Sequence, residues 1–288
     1  MAWFLFSIMA AFFLATADAL TKRHLGHLSP YAMGLGRLLF TLPWLFGALL
    51  MIPVPALDPV FFYCLALGLP LEFMAFMCYM KAIKVSPLSL SLPFLAFTPL
   101  FVILTGWIFL GERVTPTGAL GILLIVTGSY LLNLSRVSEG VFEPIRAIWR
   151  EKGSRLMLSV ALIYGITSAN GKLAILHSSP VFFAVVYFTL LALLVAALAP
   201  FRGLGTGDLR ALFSPGVILV GICMSAMILS HVMAISLTHA AYMIALKRTS
   251  VLFGVLYGAF WFKEEKMRER IVGTGIMVFG VFLMASGS

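Results

Sequence analysis

The chain has 288 residues, of which 61% are hydrophobic and only 11% are charged, and its mean hydropathy is +1.06. Soluble domains carry roughly 45–50% apolar and about 25% charged residues, so the composition predicts a polytopic membrane protein and excludes an ordinary globular one. The basic residues behind the net charge of +9 lie mostly in short loops, which favours membrane orientation over nucleic-acid binding. Cys64, Cys78 and Cys223 lie inside apolar runs without metal-binding spacing, so we expect them to be core residues.

Ten apolar runs along the chain are long enough to cross a bilayer as helices. Several begin at a proline, which fits the first turn of a helix because the N–H that proline lacks would be unpaired there anyway. The predicted fold is therefore an all-α polytopic membrane protein with ten transmembrane helices. In chain order the predicted helices span residues 3–20, 30–52, 59–80, 87–110, 116–134, 156–173, 180–199, 215–237, 240–262 and 271–285.

The longest interruption, residues 133–155, separates the first five predicted helices from the last five. Five apolar side chains within it fall on one helical face: Val141, Phe142, Ile145, Ile148 and Trp149. This pattern is typical of an amphipathic helix at the membrane surface, and a solvated linker is the alternative. The chain is accordingly divided into a first unit (1–135), a connecting segment (136–155) and a second unit (156–288).

The two units repeat one another in sequence. At an offset of 150 residues, the run from His27 to Pro30 resembles that from His177 to Pro180, and Lys22 matches Lys172. Because each unit has an odd number of predicted helices, the second would insert upside down, and inverted repeats with a site between them are the architecture of many secondary transporters. At an offset of 152, the matched pairs include Leu100 and Leu252, Phe101 and Phe253, Gly106 and Gly258, Glu112 and Glu264, Gly121 and Gly273, and Gly128 and Gly280.

Each unit also has an acidic turn before its glycine-rich last helix, Gly111-Glu112-Arg113 in the first and Lys263-Glu264-Glu265 in the second. With the two five-helix units, these turns resemble the EamA family of the drug/metabolite transporter superfamily over nearly the whole chain. The resemblance implies a multi-pass transporter of a bacterial or archaeal cytoplasmic membrane, with no enzyme activity and no cofactor. It does not imply one substrate, since the family moves amino acids, sugars, nucleotide sugars, phosphorylated metabolites and drugs.

Lys247 and Arg248 stand side by side near the middle of the predicted helix 240–262. A charge at mid-membrane costs about 2.5–3.5 kcal/mol on insertion scales, so the pair requires water, an acidic partner or an anionic ligand. His231 reaches nearly the same depth, and Ser250 stacks with Lys247 at helical spacing. A guanidinium fork beside an ammonium suits a phosphate or carboxylate, which predicts that these four residues bind substrate. The alternative is that both cations snorkel or bind carbonyls of a broken helix.

A narrower likeness surrounds the same pair. Thr238-His239-Ala240 followed by Leu246-Lys247-Arg248 is similar to the corresponding stretch of the triose-phosphate translocators, relatives in this superfamily. The resemblance implies that the Lys-Arg pair grips an anionic group of the substrate. The third phosphate-binding lysine of those carriers has no match here, since Leu95 occupies the position that the repeat relates to Lys247, and this argues against a triose phosphate itself.

Arg37 and Glu72 lie at similar depths in neighbouring predicted helices, about 10 Å from the membrane surface at a rise of about 1.5 Å per residue. They are candidates for an ion pair, either a static bridge or a gate that couples transport to protons, and Asp18 is a third candidate for that role. Two residues are weaker candidates for substrate binding. Asn170 is predicted to face the position that the repeat relates to Asp18. Ser91 lies in a predicted helix whose interior prolines leave backbone carbonyls without a hydrogen-bond donor.

The function classes can be weighed on these residues. The sequence has no nucleophile–base pattern, HExxH motif or phosphate-binding P-loop, which disfavours an enzyme. A channel is an alternative, but inverted repeats with central cations and no ring-like filter favour alternating access. A scaffold would not explain two adjacent buried cations. We therefore predict a secondary active transporter, an exporter or exchanger of a small organic metabolite with an anionic group. The alternative is an exporter of zwitterionic amino acids or cationic drug-like compounds, with or without proton coupling. We expect a monomer whose partners are its small-molecule substrate and membrane lipid, with no nucleic acid.

The loop charges predict the orientation of the chain. The positive-inside rule assigns the basic set of helix ends to the cytoplasm and both termini to the outside, whereas related carriers of this size usually have both termini inside. A C-terminal alkaline phosphatase fusion should therefore be active in whole cells, and a reporter that is active only in the cytoplasm would overturn the assignment. The opposite ends carry Arg113 and Lys172, and the basic ends carry Lys22, Arg23, Lys81, Lys84, Arg136, Arg146, Arg150, Lys152, Arg155, Arg202, Arg210, Lys263, Lys266, Arg268 and Arg270.

Overall fold

The computed structural model describes residues 2–131, 151–198, 201, 212–262 and 271–286, and all regular elements in these residues are helical. The all-α prediction is confirmed for this part of the chain. A 3-10 helix spans Leu92–Phe97. The α-helices are α1 (Ala2–Leu25), α2 (Pro30–Leu39), α3 (Leu42–Leu49), α4 (Pro59–Val85), α5 (Leu88–Ser91), α6 (Thr98–Leu110), α7 (Pro116–Leu131), α8 (Lys152–Leu176), α9 (Pro180–Ala197), α10 (Pro215–Leu237), α11 (Ala240–Lys247), α12 (Ser250–Phe262) and α13 (Ile271–Ser286).

Within the described ranges, six helical segments are long and apolar enough to span a membrane, and shorter apolar helices cover Phe94–Leu110, Pro116–Ser129 and Val272–Ser286. The protein is therefore a multi-pass membrane protein, whereas the count of ten crossings stays a prediction. The segment predicted to form an amphipathic helix, residues 133–155, lies outside the described residues up to residue 150. The six long segments are Ala2–Leu25, Pro30–Leu49, Pro59–Val85, Lys152–Leu176, Pro180–Ala197 and Pro215–Leu237.

The helix starts follow local capping chemistry. Ser29 accepts a hydrogen bond from the amide of Ala32 at 3.1 Å and Asp58 accepts one from Phe61 at 3.3 Å, in each case just before a proline in the first turn. Both contacts satisfy amide groups that the helix itself cannot pair. Asp58 also lies 2.5 Å from Nδ1 of His177, and this hydrogen bond lowers the pKa of the Asp58 carboxyl.

Two of the predicted helices are interrupted near their middles. The predicted helix 87–110 becomes α5, the 3-10 helix and α6, where Pro93 and Pro99 supply no backbone N–H. The predicted helix 240–262 is divided into α11 and α12 after Lys247. At the repeat offset of 152, residues 244–249 correspond to the 3-10 segment 92–97. The two interruptions therefore lie at equivalent positions of the two predicted units.

The most extensive helix contacts each join one helix of the first half to one of the second. They pair α1 with α10, α4 with α8, and α7 with α13. The predicted repeat makes α1 equivalent to α8, α4 equivalent to α10, and α7 equivalent to α13. Replacing each helix by its equivalent turns the α1–α10 contact into the α8–α4 contact, and it leaves the α7–α13 contact unchanged. This pairing is what a pseudo-two-fold relation between the halves requires, and the inverted repeat itself stays a prediction.

The contact between α7 and α13 depends on glycine. A Cβ atom added at Gly121 would lie 2.7 Å from the carbonyl oxygen of Gly280, and one added at Gly128 would lie 2.6 Å from that of Gly273. The sequence repeat relates Gly121 to Gly273 and Gly128 to Gly280, so each contact joins non-equivalent glycines of the two halves. Small residues of this kind let two membrane helices pack backbone against backbone.

Replacing Gly121 with leucine should therefore force α7 and α13 apart. Overpacking of this kind costs about 1–3 kcal/mol, and the substitution is expected to lower the thermal unfolding midpoint of the detergent-purified protein. Gly275→Leu on α13 is the matched control, because a Cβ atom there meets nothing within 4 Å. Equal losses in the two variants would show that the glycine contact does not stabilise the protein.

Candidate functional site

Lys247 and Arg248 occupy the break between α11 and α12. Lys247 is the last residue of α11, Arg248 caps it, and α12 begins at Ser250. The amide of Thr249 donates to the carbonyl of Leu246 at 3.0 Å, so the backbone tightens across the break. Carbonyls at a helix C-terminus carry partial negative charge, which stabilises nearby cations by roughly 0.3–1 kcal/mol, and by up to about 2 kcal/mol when partly buried. The break therefore offsets part of the cost of two buried cations.

Lys247 reaches across to α10. Its Nζ lies 3.2 Å from Nδ1 of His231, within hydrogen-bonding distance. The structure thus brings together two of the predicted substrate-binding residues. Among the described residues, no carboxylate lies within ion-pairing distance of Lys247.

Arg248 is buried, with 3% of its surface exposed. Its Nε has no hydrogen-bond partner, and the described part of the chain brings no carboxylate within ion-pairing distance of the guanidinium. A guanidinium presents five donors, and a buried charge left without a partner is strongly destabilising. Arg248 is therefore a cation whose local surroundings do not neutralise it.

Arg37 does have a partner, and it differs from the predicted one. Its Nη1 lies 2.7 Å from Oδ1 of Asp18, and Tyr79 donates its hydroxyl to Oδ2 of the same carboxylate at 2.5 Å. The predicted pairing of Arg37 with Glu72 is therefore wrong. Asp18 lies seven residues before the end of α1 and Arg37 seven residues after the start of α2, so the short connection between these helices brings both to one depth.

Glu72 lies among other side chains. Its carboxylate interacts with the hydroxyl groups of Thr167 on α8 and Tyr187 on α9. Lys247 attracts it electrostatically, although no ion pair joins the two within the described residues. The predicted role of Glu72, together with Asp18 and Arg37, in gating or proton coupling stays a prediction.

These side chains meet in one cavity between the two halves, with a volume of about 120 Å³. Roughly 10–15 Å³ of such space holds one water molecule, so the cavity admits several waters or the head group of a small ligand. Apolar side chains, among them Phe183, Met224 and Ile235, form much of its wall. The polar residues of the wall include Arg37, Glu72, Thr167, Lys172, Tyr187, His231, Lys247 and Arg248.

Three predicted substrate-binding residues do not line this cavity as the described residues define it. Nδ2 of Asn170 donates to the carbonyl of Cys64 at 2.8 Å and ties α8 to α4. The hydroxyl of Ser91 donates to the carbonyl of Pro87 at 3.2 Å, and Ser250 is buried at the start of α12. The side chains of Asn170 and Ser91 are thus directed at backbone carbonyls instead of the cavity.

Some residues of the site were only weak candidates from the sequence, and others were missed. Tyr79, Tyr164 and Tyr187 line the cavity. Their sequence positions allow a place in a pocket, but aromatic residues make up 13% of the chain and mostly pack against lipid or core, so their type gave little signal. The omission is the ion pair between Lys172 and Glu112, of which Lys172 also lines the cavity. Both residues have partners in the internal repeat, and that signal could have identified them.

Comparison with known proteins agrees with this architecture. A crystal structure of another protein has a TM-score of 0.72 over 98% of this chain and 95% of the other, at 16% sequence identity, which supports the fold alone. No curated protein matches the sequence. The sequence model of the EamA-like transporter family matches residues 1–134 and 151–286, close to the two units predicted from the internal repeat. The chain therefore belongs to the EamA-like transporter family.

Proposed function

We propose that this protein is a secondary active transporter that moves a small organic anion across the membrane by alternating access, as an exporter or an exchanger. The observation that carries the proposal is the buried guanidinium of Arg248, which lines the central cavity without an acidic partner among the described residues. An anionic ligand would supply the missing counter-charge. Because this counter-charge is part of the substrate, the guanidinium would be neutralised only when substrate is bound.

The neighbouring side chains support this assignment. A guanidinium can hold a carboxylate or phosphate through two parallel hydrogen bonds, and Lys247 adds a second positive charge beside it. The contact with His231 holds the Lys247 ammonium at 3.2 Å without neutralising it. The apolar wall formed by Phe183, Met224 and their neighbours would receive the uncharged part of the substrate.

A zwitterionic substrate is the second candidate, and Glu72 favours it. The Glu72 carboxylate lines the same cavity as Arg248 and has no ion pair among the residues that the structure describes. A ligand with an anionic and a cationic group could satisfy both charges at once. This arrangement supports zwitterionic compounds over purely cationic ones, because a cation alone would meet Lys247 and Arg248.

The sequence-based predictions about substrate, oligomeric state and location are also part of this proposal. The short likeness to triose-phosphate translocators supports an anionic substrate group, and Leu95 at the position related to Lys247 argues against a triose phosphate itself. We further propose a functional monomer in lipid, located in the cytoplasmic membrane of a bacterium or archaeon. Two inverted repeats around one cavity would suffice for such a carrier.

Ligand stabilisation of the purified protein tests the anion site. Small phosphorylated and carboxylated metabolites should raise the thermal unfolding midpoint, because a ligand that binds only the folded state stabilises it. Lys247→Ala should weaken this binding by about tenfold or more, the effect of losing one charge-assisted hydrogen bond. Lys81→Ala is the matched control, since that lysine is exposed at the end of α4. Stabilisation by cationic compounds alone would contradict the proposal.

The Glu72→Gln variant tests proton coupling and the zwitterionic alternative together. If Glu72 carries the coupled proton, pH-driven transport into proteoliposomes should be abolished while substrate exchange continues, since exchange needs no net proton movement. If Glu72 binds an ammonium group, the variant should bind zwitterions more weakly and monoanions unchanged. An unfolded variant, or unchanged transport and binding, would leave Glu72 a structural residue.

A further inference from the structure

A second depression lies at the face of the protein where α6, α8 and α10 end, here called the Thr238 face. It is bordered by Glu112, Lys172, Ser236, Thr238, His239 and Tyr242, among others. Lys172 also lines the central cavity, and it is the one described residue that the two linings share. A solute that moves between this face and Arg248 by this route therefore passes the Lys172 ammonium.

Lys172 is held in place by two oxygen atoms. Its Nζ contacts Oε1 of Glu112 and donates to the carbonyl of Thr238 at 2.6 Å. The other carboxylate oxygen of Glu112 accepts a hydrogen bond from the amide of Ala240 at 2.8 Å. Glu112 therefore connects Lys172 to the first residue of α11, and α11 is the helix that ends at Lys247.

The turn before Glu112 explains its position. Gly111 ends α6 in the left-handed conformation, with φ of 66°, and the amide of Glu112 donates back to the carbonyl of Gly106 at 3.2 Å. A Cβ atom at Gly106 would lie 3.5 Å from Oε2 of Glu112, so the carboxylate lies next to this residue of α6. The carboxylate is thereby directed at the second half of the protein.

We propose that Lys172 is the first binding point for the anionic group of the substrate at the Thr238 face, and that the substrate anion displaces Glu112 from it. Exchange of one carboxylate for another anion keeps the ammonium paired throughout, and the displaced Glu112 carboxylate turns to the water of the depression, so neither charge is left buried without a partner. Displacement of Glu112 also releases the amide of Ala240 and frees the start of α11. An uncharged solute cannot make this exchange, so the contact selects anions before they reach the central cavity. The inference rests on the proposed transport of an organic anion.

The opposite face contains a related arrangement. Lys22, which the repeat relates to Lys172, donates to the carbonyl of Ser86 at 2.5 Å, and Ser86 corresponds to Thr238 at the offset of 152. The hydroxyl of Ser86 also donates to the carboxylate of Glu151, at the start of α8. A lysine, a carbonyl at a helix end and a carboxylate thus meet at both faces, which supports a role in closing the path rather than in local packing alone.

Cysteine accessibility tests the proposal in the purified protein. Ser236 borders the depression at the Thr238 face, so Ser236→Cys, in a chain with Cys64, Cys78 and Cys223 replaced, reports opening through its rate of reaction with a charged maleimide. Glu112→Gln should react about tenfold faster or more without any anion, because a neutral amide holds the ammonium less strongly. Arg113→Met removes an exposed cation next to Glu112 and should leave the rate unchanged.

Inorganic phosphate then serves as the probe anion. Phosphate should accelerate labelling of the parent chain and of Lys172→Arg, and should have no effect on Lys172→Met. Equal acceleration in Lys172→Met, or an unchanged rate in Glu112→Gln, would overturn the proposal. If Glu112→Gln fails to fold, Glu112→Asp replaces it, since the shorter carboxylate cannot reach both partners and should also label faster.

One further variant separates this inference from the proposed function. In Lys247→Ala, phosphate should still accelerate labelling at Ser236→Cys, because contact with Lys172 precedes contact with the central site. Loss of phosphate-dependent stabilisation in that variant tests the central site alone. Acceleration that requires Lys247 would show that opening follows central binding, and would contradict the role given to Lys172.

Discussion

Ionised side chains lose their hydration inside a bilayer, so other groups of the protein must take the place of water around them. The charged residues that the structure describes are stabilised by different groups. Arg37 receives a carboxylate that is itself held by Tyr79, Lys172 receives a carboxylate and a carbonyl, and Lys247 receives an imidazole near a helix end. A buried charge that lacks a partner is strongly destabilising. Arg248 has no ion pair among the described residues, so it is the buried cation that depends most on the contents of the cavity.

The break between α11 and α12 has two effects that depend on each other. It places the partial negative charge of a helix C-terminus beside the two cations, and it leaves α11 only eight residues long. This short helix is buried from Ala240 to Leu246 and packs against α1 and α6, and it also has a polar contact at each end. At one end is Lys247 in the central cavity, and at the other is the Ala240 amide bonded to Glu112. A change in the contact of Glu112 at the surface and a change at Lys247 in the cavity would therefore both act on α11.

The sequence predicted the depth of residues better than their direction. Apolar runs and prolines located the helices, and the depth of His231 beside Lys247 followed from helix geometry. Asn170 and Ser91 face backbone groups instead of the cavity, because helical spacing does not say which neighbour a face meets. The Arg37 assignment failed for a related reason, since two acidic residues had suitable depths and only the packing of the helices selects Asp18. Lys172 and Glu112 are 60 residues apart, so no local pattern could pair them.

The glycine contacts between α7 and α13 also limit which substitutions the two helices can accept. Because Gly121 meets Gly280 and Gly128 meets Gly273, a larger side chain on either helix would collide with the backbone of the other. A substitution on the facing helix could not relieve that collision, because glycine has no side chain to shorten. Residue size along this interface is therefore fixed from both sides at once.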